Sequence, residues 1–405
     1  MAIGQRSETV RRANLSAIVR ELHANGPRSR SMLVARIGLT RSAIRSLLGE
    51  LLAADLVREE RAALQGTPGR PSPVVRTNPE AMVVLAVEVN VDSLAAAVVG
   101  LGGDVLEIVR VERASGTASV EETITEVVEL SRRLLRDSRR RAALVGVGVA
   151  VAGVVRRSDG FISMAPNLGW RDVPFGQRLV PALGLDVPVT VANEADLGAL
   201  AEHLRGAATG HDHVLFVTGE VGVGGGLIVD GRPLSGVAGF GGEIGHLPVN
   251  RSGRQCGCGA IGCWETEVGE GALLARAGRP ADGGRDALDA VLDEAAAGEP
   301  VALAALEETG RWLGIGLAGL VNLLNPELVV LGGRFGRYLP FVSDSLEEEL
   351  DRHALAAPRA LVRIVPSRLG ADASLLGAAE IAFEAILADP AAWLRRPGRV
   401  ELASA

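Results

Sequence analysis

Residues 242 to 246 read Gly-Glu-Ile-Gly-His; nine residues later, positions 256 to 265 read Cys-Gly-Cys-Gly-Ala-Ile-Gly-Cys-Trp-Glu. All three cysteines of the 405-residue chain, Cys256, Cys258 and Cys263, fall within eight positions, and His246 stands ten positions before the first of them. Three thiolates and one imidazole are the ligand set of a closed tetrahedral structural zinc site, and the interleaved glycines let the backbone turn tightly enough to converge the sulfurs. Inert buried thiols are the alternative. An odd cysteine count does not suit a disulfide framework. His23, His203, His211, His213 and His353 have no such company and read as surface or internally satisfied side chains.

On both sides of this stretch, β-branched runs broken by glycine alternate with Ala/Leu/Glu segments such as 120–136 and 194–204, which is an α/β texture. Residues 83–109 and 214–234 each read as strand, small-residue turn, strand and hydrophilic turn. Duplicated units of this kind suggest an actin-like phosphotransferase architecture, two lobes with a ligand cleft between them, although glycine-rich hairpins occur in many sheets. No apolar run reaches the roughly 18 residues of a membrane span; the longest, 142–155, carries Gly146, Gly148 and Gly153 and reads as a buried strand. Arg6, Glu8, Arg11 and Arg12 stand where a secretory signal needs an apolar core, so a cytoplasmic location is expected and no membrane partner.

Charge divides the chain further. The net charge of −7 is the sum of +7 over residues 1–77, with 13 Arg against 6 acids, and −14 over the remainder, with 29 Arg against 43 acids. A basic module facing nucleic acid is the expectation, with a solvated arm or a plain packing module as the alternatives. Leu15, Ile18, Val19 and Leu22 recur at helical spacing and stop near Asn25-Gly26-Pro27. A short second helix, capped by Ser29 or Ser31, buries Leu33 and Ile37 and breaks at Gly38. Thr40 caps a third, whose apolar face is Ile44, Leu47, Leu48, Leu51 and Leu52 and whose exposed start carries Arg41, Ser42 and Arg45. That layout is a helix-turn-helix with Thr40, Arg41, Ser42 and Arg45 as DNA-contacting candidates. Residues 56–58 and 74–76 can pair as a wing whose loop presents Arg70 to a phosphate or minor groove. Residues 77–79 read as a linker.

The motif at 242–265, with Ala-Pro-Asn-Leu-Gly-Trp at 165–170 and Asn-Glu-Ala-Asp at 193–196, resembles the repressor/open-reading-frame/kinase (ROK) group of sugar kinases and sugar-responsive regulators. The likeness spans most of residues 10–385. It implies a two-lobed domain of the ribonuclease H-like, hexokinase type. By resemblance the sugar contacts fall on Asn167, Asn193, Glu194, Glu243, His246 and Glu265, and zinc on His246, Cys256, Cys258 and Cys263. Carboxylates and amides suit vicinal hydroxyls, and a metal-bound His246 would tie the sugar site to the zinc.

The kinases of this group carry Asp-x-Gly-Gly-Thr at the first phosphate loop, where glycine amides approach the nucleotide. Here the stretch is Glu88-Val89-Asn90-Val91-Asp92, and Asp92 sets a carboxylate where an anion should sit. The second loop keeps Gly222, Gly224, Gly225 and Gly226 but begins with Glu220-Val221 in place of Gly-Thr, and Glu194 replaces the catalytic Asp. These departures point away from phosphoryl transfer. The expected protein is a sugar-responsive repressor without enzymatic activity: a winged helix-turn-helix over 1–77, a zinc-bearing two-lobed domain over 78–390, and a tail over 391–405. Operator DNA, a sugar and a second copy of the chain, in a homodimer or homotetramer, are its expected partners. A sugar kinase with an appended DNA-binding domain and a zinc-stabilised scaffold are the competing readings. Residues 273–310 read as helices without chemistry.

Overall fold

The computed structural model describes residues 7–60, 73–113 and 118–394. In its N-terminal module, α1 (Ser7–Asn25) buries Leu15, Ile18, Val19 and Leu22. After β1 (Arg28–Ser29), the Ser29 hydroxyl accepts from the Met32 amide and caps α2 (Arg30–Ile37), which ends at Gly38. Thr40 in turn caps α3 (Arg41–Ala53), with Ile44, Leu47, Leu48 and Leu51 inward. β2 (Val57–Glu60) and β3 (Val74–Thr77) pair antiparallel, and β1 adds to the other edge of β3. The segment expected to be a linker is packed: Asn78 is buried, and its amide donates to the Asp55 carbonyl at 2.9 Å and carboxylate at 2.8 Å.

The first lobe begins with the antiparallel strands β4 (Val83–Val89), β5 (Ser93–Gly100) and β6 (Val105–Glu112). Helices α4 (Val120–Leu134) and α5 (Ser138–Ala143) lead into β7 (Leu144–Val151). A small sheet of β8 (Val154–Arg156), β9 (Phe161–Ala165) and β10 (Trp170–Val173) follows, then α6 (Phe175–Leu183), β11 (Val189–Asn193) and α7 (Glu194–Arg205). The run 142–155, expected as one strand, is the end of α5, then β7, then a turn into β8, because Gly153 at φ 152° breaks the extended path.

The second lobe repeats the plan. It holds β12 (Val214–Gly219), β13 (Val223–Val229), β14 (Arg232–Pro233), α8 (Trp264–Val268), α9 (Glu270–Arg276), α10 (Gly284–Ala296) and α11 (Pro300–Leu324). β15 (Leu328–Gly333), α12 (Phe335–His353), α13 (Ala356–Leu361) and β16 (Arg363–Pro366) complete it. Among the described residues the sheet orders are β6-β5-β4-β7-β11 and β14-β13-β12-β15-β16. Counted along its own strands, each lobe reads third, second, first, fourth, fifth, with an antiparallel hairpin beside parallel strands. The repeat seen in the two hairpins is therefore a duplication of the whole sheet.

The chain then returns to the first lobe as α14 (Ala373–Ala388), which lies on β7 and α7, and α15 (Pro390–Leu394). The tail expected from residue 391 is corrected here: Ala391 and Trp393 are buried against α1 and α14, because they continue the apolar face that closes the core. That core is continuous from Leu15 of α1 through Val84 of β4 to Phe383 of α14. No helix among the described residues is long and apolar enough to cross a membrane.

Helix α14 sits so near α7 that a Cβ on Gly377 would come within 1.9 Å of the Leu197 carbonyl oxygen. Gly377→Ala is therefore expected to lower the unfolding free energy by about 1–3 kcal/mol in urea titration, the usual range for overpacking. Gly49, in α3 with open space around it, serves as the control. Gly49→Ala should stabilise by about 0.5–1 kcal/mol through helix propensity.

Candidate functional site

Loops at the strand ends of both lobes enclose a cleft of about 730 Å³, solvent at its mouth included. Asn167, Asn193, Glu194, Glu243, His246 and Glu265, separated by up to 98 positions in sequence, all line it. Asn167 stands in a single 3-10 turn, Pro166–Leu168, between β9 and β10. Gly222 in the β12–β13 turn approaches it so closely that a Cβ there would lie 2.7 Å from Asn167 Nδ2 and 3.0 Å from Glu265 Oε2. The glycine retained at this position thus serves the wall of the cleft.

Asn193 is the N-cap of α7: its Oδ1 accepts from the amides of Ala195 at 2.7 Å and Asp196 at 3.1 Å. Its Nδ2 donates to the Gly153 carbonyl at 2.9 Å. Most of its hydrogen-bonding capacity is thus occupied in holding Glu194 at the cleft floor. Glu194 Oε2 is enclosed and has no hydrogen-bond partner among the described residues. Burial, reinforced by the charges of Glu243 and Asp196, pushes the Glu194 pKa up to about 8. Burial and the Glu243 charge likewise bring Asp196 to about 7 against the pull of Arg157. Glu243 is raised by burial, with Glu265 adding to the rise and His246 opposing it. Glu194 therefore keeps its proton near neutral pH, so the floor can donate as well as accept hydrogen bonds, as a polyhydroxylated ligand requires.

Beside the cleft, ligand atoms of His246, Cys256, Cys258 and Cys263 all lie within 4.8 Å of one another. Cys258 Sγ and Cys263 Sγ are 3.7 Å apart, and His246 Nδ1 is 3.6 Å from Cys256 Sγ. Zn–S bonds of about 2.3 Å place tetrahedral sulfurs about 3.8 Å apart, so the spacing fits such an ion. Burial raises the thiol pKa values of Cys256 and Cys263, and a bound cation would reverse that. The Cys256 thiol donates to Glu265 Oε1 at 2.7 Å. With Nδ1 turned to the sulfurs, His246 Nε2 looks toward Glu243 Oε2, 4.0 Å away. Nδ1 thus faces Cys256 and, at 3.6 Å, Glu265 Oε1, while Nε2 faces Glu243.

At the phosphate-loop positions the carboxylates are not left facing an open anion site. Asp92 Oδ2, in the β4–β5 turn, accepts from Arg285 of α10 at 3.0 Å and from Arg334, just before α12, at 3.1 Å. Arg334, only 8% exposed, also pairs with Glu220 at 3.3 Å and with Glu270. Residues 273–310 are thus not without chemistry, since Arg285 lies among them. Spacing could not reveal this cluster, because Asp92 and Arg334 are 242 positions apart.

In the N-terminal module the structure brings Thr40, Arg41, Ser42 and Arg45 together on the exposed start of α3. Arg41 and Arg45 are both exposed, and neither forms an ion pair with a described residue. Arg70 lies outside the described residues. The histidines expected to be internally satisfied or at the surface include His353, 3.1 Å from Glu349, and His211, 3.2 Å from Glu327.

The sequence pattern of the ROK family matches residues 84–385. The xylose repressor of Bacillus spizizenii is 28% identical over 378 residues, covering 93% of this chain and 97% of the repressor. Among solved structures, a ROK family transcriptional regulator described as a homologue of the E. coli MLC protein superposes with a TM-score of 0.75 at 26% identity, covering 94% of this chain and 97% of its own. A ROK family glucokinase from Streptomyces griseus, solved with glucose and AMPPNP, gives a TM-score of 0.64 at 29% identity, covering 74% of this chain and 99% of its own.

Two outcomes follow from the site. Metal analysis of the purified protein is expected to give about one zinc per chain, and Cys258→Ser to remove it and lower the melting temperature. For Glu194, the folded pKa lies above the unfolded one. The folded protein therefore keeps a proton that the unfolded chain has lost, and stability falls as pH rises from about 4.5 to about 8. Glu194→Gln should gain stability relative to the native protein as pH rises from about 4.5 to about 8, read from urea melts in saturating zinc.

Proposed function

The chain belongs to the ROK family, and from that premise we propose that it is a sugar-responsive transcriptional repressor. In this reading residues 1–77 are a winged helix-turn-helix that binds operator DNA, and the cleft of residues 78–390 binds a sugar without phosphorylating it. The observation that carries the reading is the combination of a polar cleft with phosphate-loop carboxylates already neutralised by Arg285 and Arg334. A nucleotide phosphate entering there would meet Asp92, Glu220 and Glu270 and would have to displace their guanidinium partners. The full-length likeness to a xylose repressor and to a ROK regulator supports the same reading, the kinase likeness only the fold of the two lobes.

Each part then has a task. α3 presents Arg41 and Arg45 to the major groove and Thr40 and Ser42 to the backbone, while Arg70 on the wing reaches the neighbouring phosphates. Asn167, Glu194, Glu243, His246 and Glu265 bind the hydroxyls of the sugar, and Asn193 positions them. Structural zinc on His246, Cys256, Cys258 and Cys263 would fix the 246–265 loop and hold the His246 tautomer that donates from Nε2. Two modules in a homodimer, or a tetramer built from dimers, would meet half-sites about one helical turn apart.

Two measurements test this. Genomic fragments retained by the protein should bind with strong salt dependence, and Arg41→Ala or Arg45→Ala should weaken binding by about 1–3 kcal/mol. DNA retention that is absent at physiological salt would sink the proposal. Calorimetry with D-xylose and D-glucose should detect binding that Glu243→Gln abolishes, while ADP release with ATP and either sugar stays at the background of an Asn167→Ala control.

A further inference from the structure

A buried polar cluster joins the N-terminal module to the first lobe, and one helix leads from it to the cleft. His23, in the last turn of α1, is 2% exposed. Its Nδ1 accepts from the Gly102 amide at 2.9 Å, in the β5–β6 turn, and its Nε2 lies 3.0 Å from Glu380 Oε2 of α14 and 2.8 Å from Arg205 Nη2. Arg205, the last residue of α7, completes the cluster. Its Nε donates to Glu380 Oε1, and its Nη1 donates to the carbonyls of Gly102 at 2.9 Å and His23 at 3.2 Å. Burial works against a charged Glu380, but His23 and Arg205 outweigh it and hold the carboxyl below its usual range.

The opposite end of α7 is the cleft floor, where Asn193 caps the helix and Glu194 offers an enclosed, unpartnered Oε2. Eleven residues separate Glu194 from Arg205, about 17 Å along a helix axis. Between them α7 is packed along α14, with Gly377 against Leu197. We infer that α7 is the rod through which the sugar cleft and the N-terminal module sense each other, with Arg205, His23 and Glu380 as the residues that couple them. This inference rests on reading the cleft as a sugar site.

The physical reason is the contrast between the two ends. A hydroxyl that pairs with Glu194 Oε2 supplies the partner that oxygen lacks, so ligand favours whichever α7 position brings Oε2 to it. At the other end a guanidinium fork tolerates little displacement, since hydrogen bonds weaken steeply with distance and angle, and a buried charge stripped of partners is costly. A small axial or rotational shift of α7 must either carry α1 with it or release it. Because Arg205 holds the backbone carbonyl of His23 as well as its side-chain partner, the helix is gripped as a body.

The test uses the full-length protein with D-xylose and D-glucose as probes and two variants made from opposite sides of the interface, Arg205→Met and His23→Gln. Amide hydrogen exchange reports α1, a retained genomic fragment reports DNA affinity, and calorimetry reports the sugar. In the native protein the sugar should alter exchange over residues 16–26 and change DNA affinity by about tenfold, within the usual range of coupling. In either variant sugar affinity should stay within about threefold of native, while the sugar effect on DNA and on α1 is lost. Arg205→Lys should restore it only in part, because an ammonium cannot replace the fork. Variants that keep the full sugar effect, or that lose sugar affinity and DNA affinity together, overturn the relay and leave the sugar-responsive reading standing. A native protein that binds neither sugar removes that reading and the relay with it.

Discussion

The guanidinium of Arg334 holds the two lobes in register. It stands at the end of β15, takes Asp92 from the hairpin turn of the first lobe, and takes Glu220 and Glu270 from the second. Arg285 adds a second cation to Asp92. A buried ion cluster of this kind is poor evidence of stability, since desolvation offsets most of the attraction. It bears on geometry, because the planar fork reaches Asp92 of one lobe and Glu220 of the other only when their turns are held in a narrow relative placement. The shape of the cleft follows from that placement.

Within the cleft, the same low dielectric that makes ion pairs costly keeps Glu194, Asp196 and Glu243 on the protonated side of their usual behaviour. A floor with a protonated Glu194 can donate as well as accept hydrogen bonds, which suits a hydroxyl-rich ligand. Its rim is supplied by His246 and Glu265, both in contact with Cys256, so the cleft and the His/Cys group share side chains. Its base is supplied by the first turn of α7, whose far end is gripped by the N-terminal module. The helix that floors the cleft thus also meets the N-terminal module.

Much of this was legible in residue order because the signals are local. Ser29 and Thr40 cap helices from within three residues of the amides they bind, and Leu15, Ile18, Val19 and Leu22 mark a buried face by period alone. The thiols converge across a segment too short to place them elsewhere. Other expectations failed for an equally physical reason. Asp92 and Glu220 read as repulsive because their arginine partners lie in distant segments. Residues from 391 onward read as tail because apolar content in five residues has no measurable period, yet Trp393 is needed to close the core. His23, by contrast, is internally satisfied as expected, but its partners Glu380 and Arg205, 357 and 182 positions away, could not be named from spacing.

The cleft residues were legible only through the resemblance to a family; sequence by itself determined the basic and acidic halves, the helices of the first 53 residues, the duplicated hairpins and the grouping of His246 with the three cysteines. Each depends on composition, period or short spacing, which exist before the chain folds. Tertiary structure alone decided which charges neutralise which, how far each carboxyl is shielded from water, and that α7 touches both the cleft and α1. Those properties arise from desolvation and from contacts between segments remote in the chain, and neither has a value until the lobes have closed on one another.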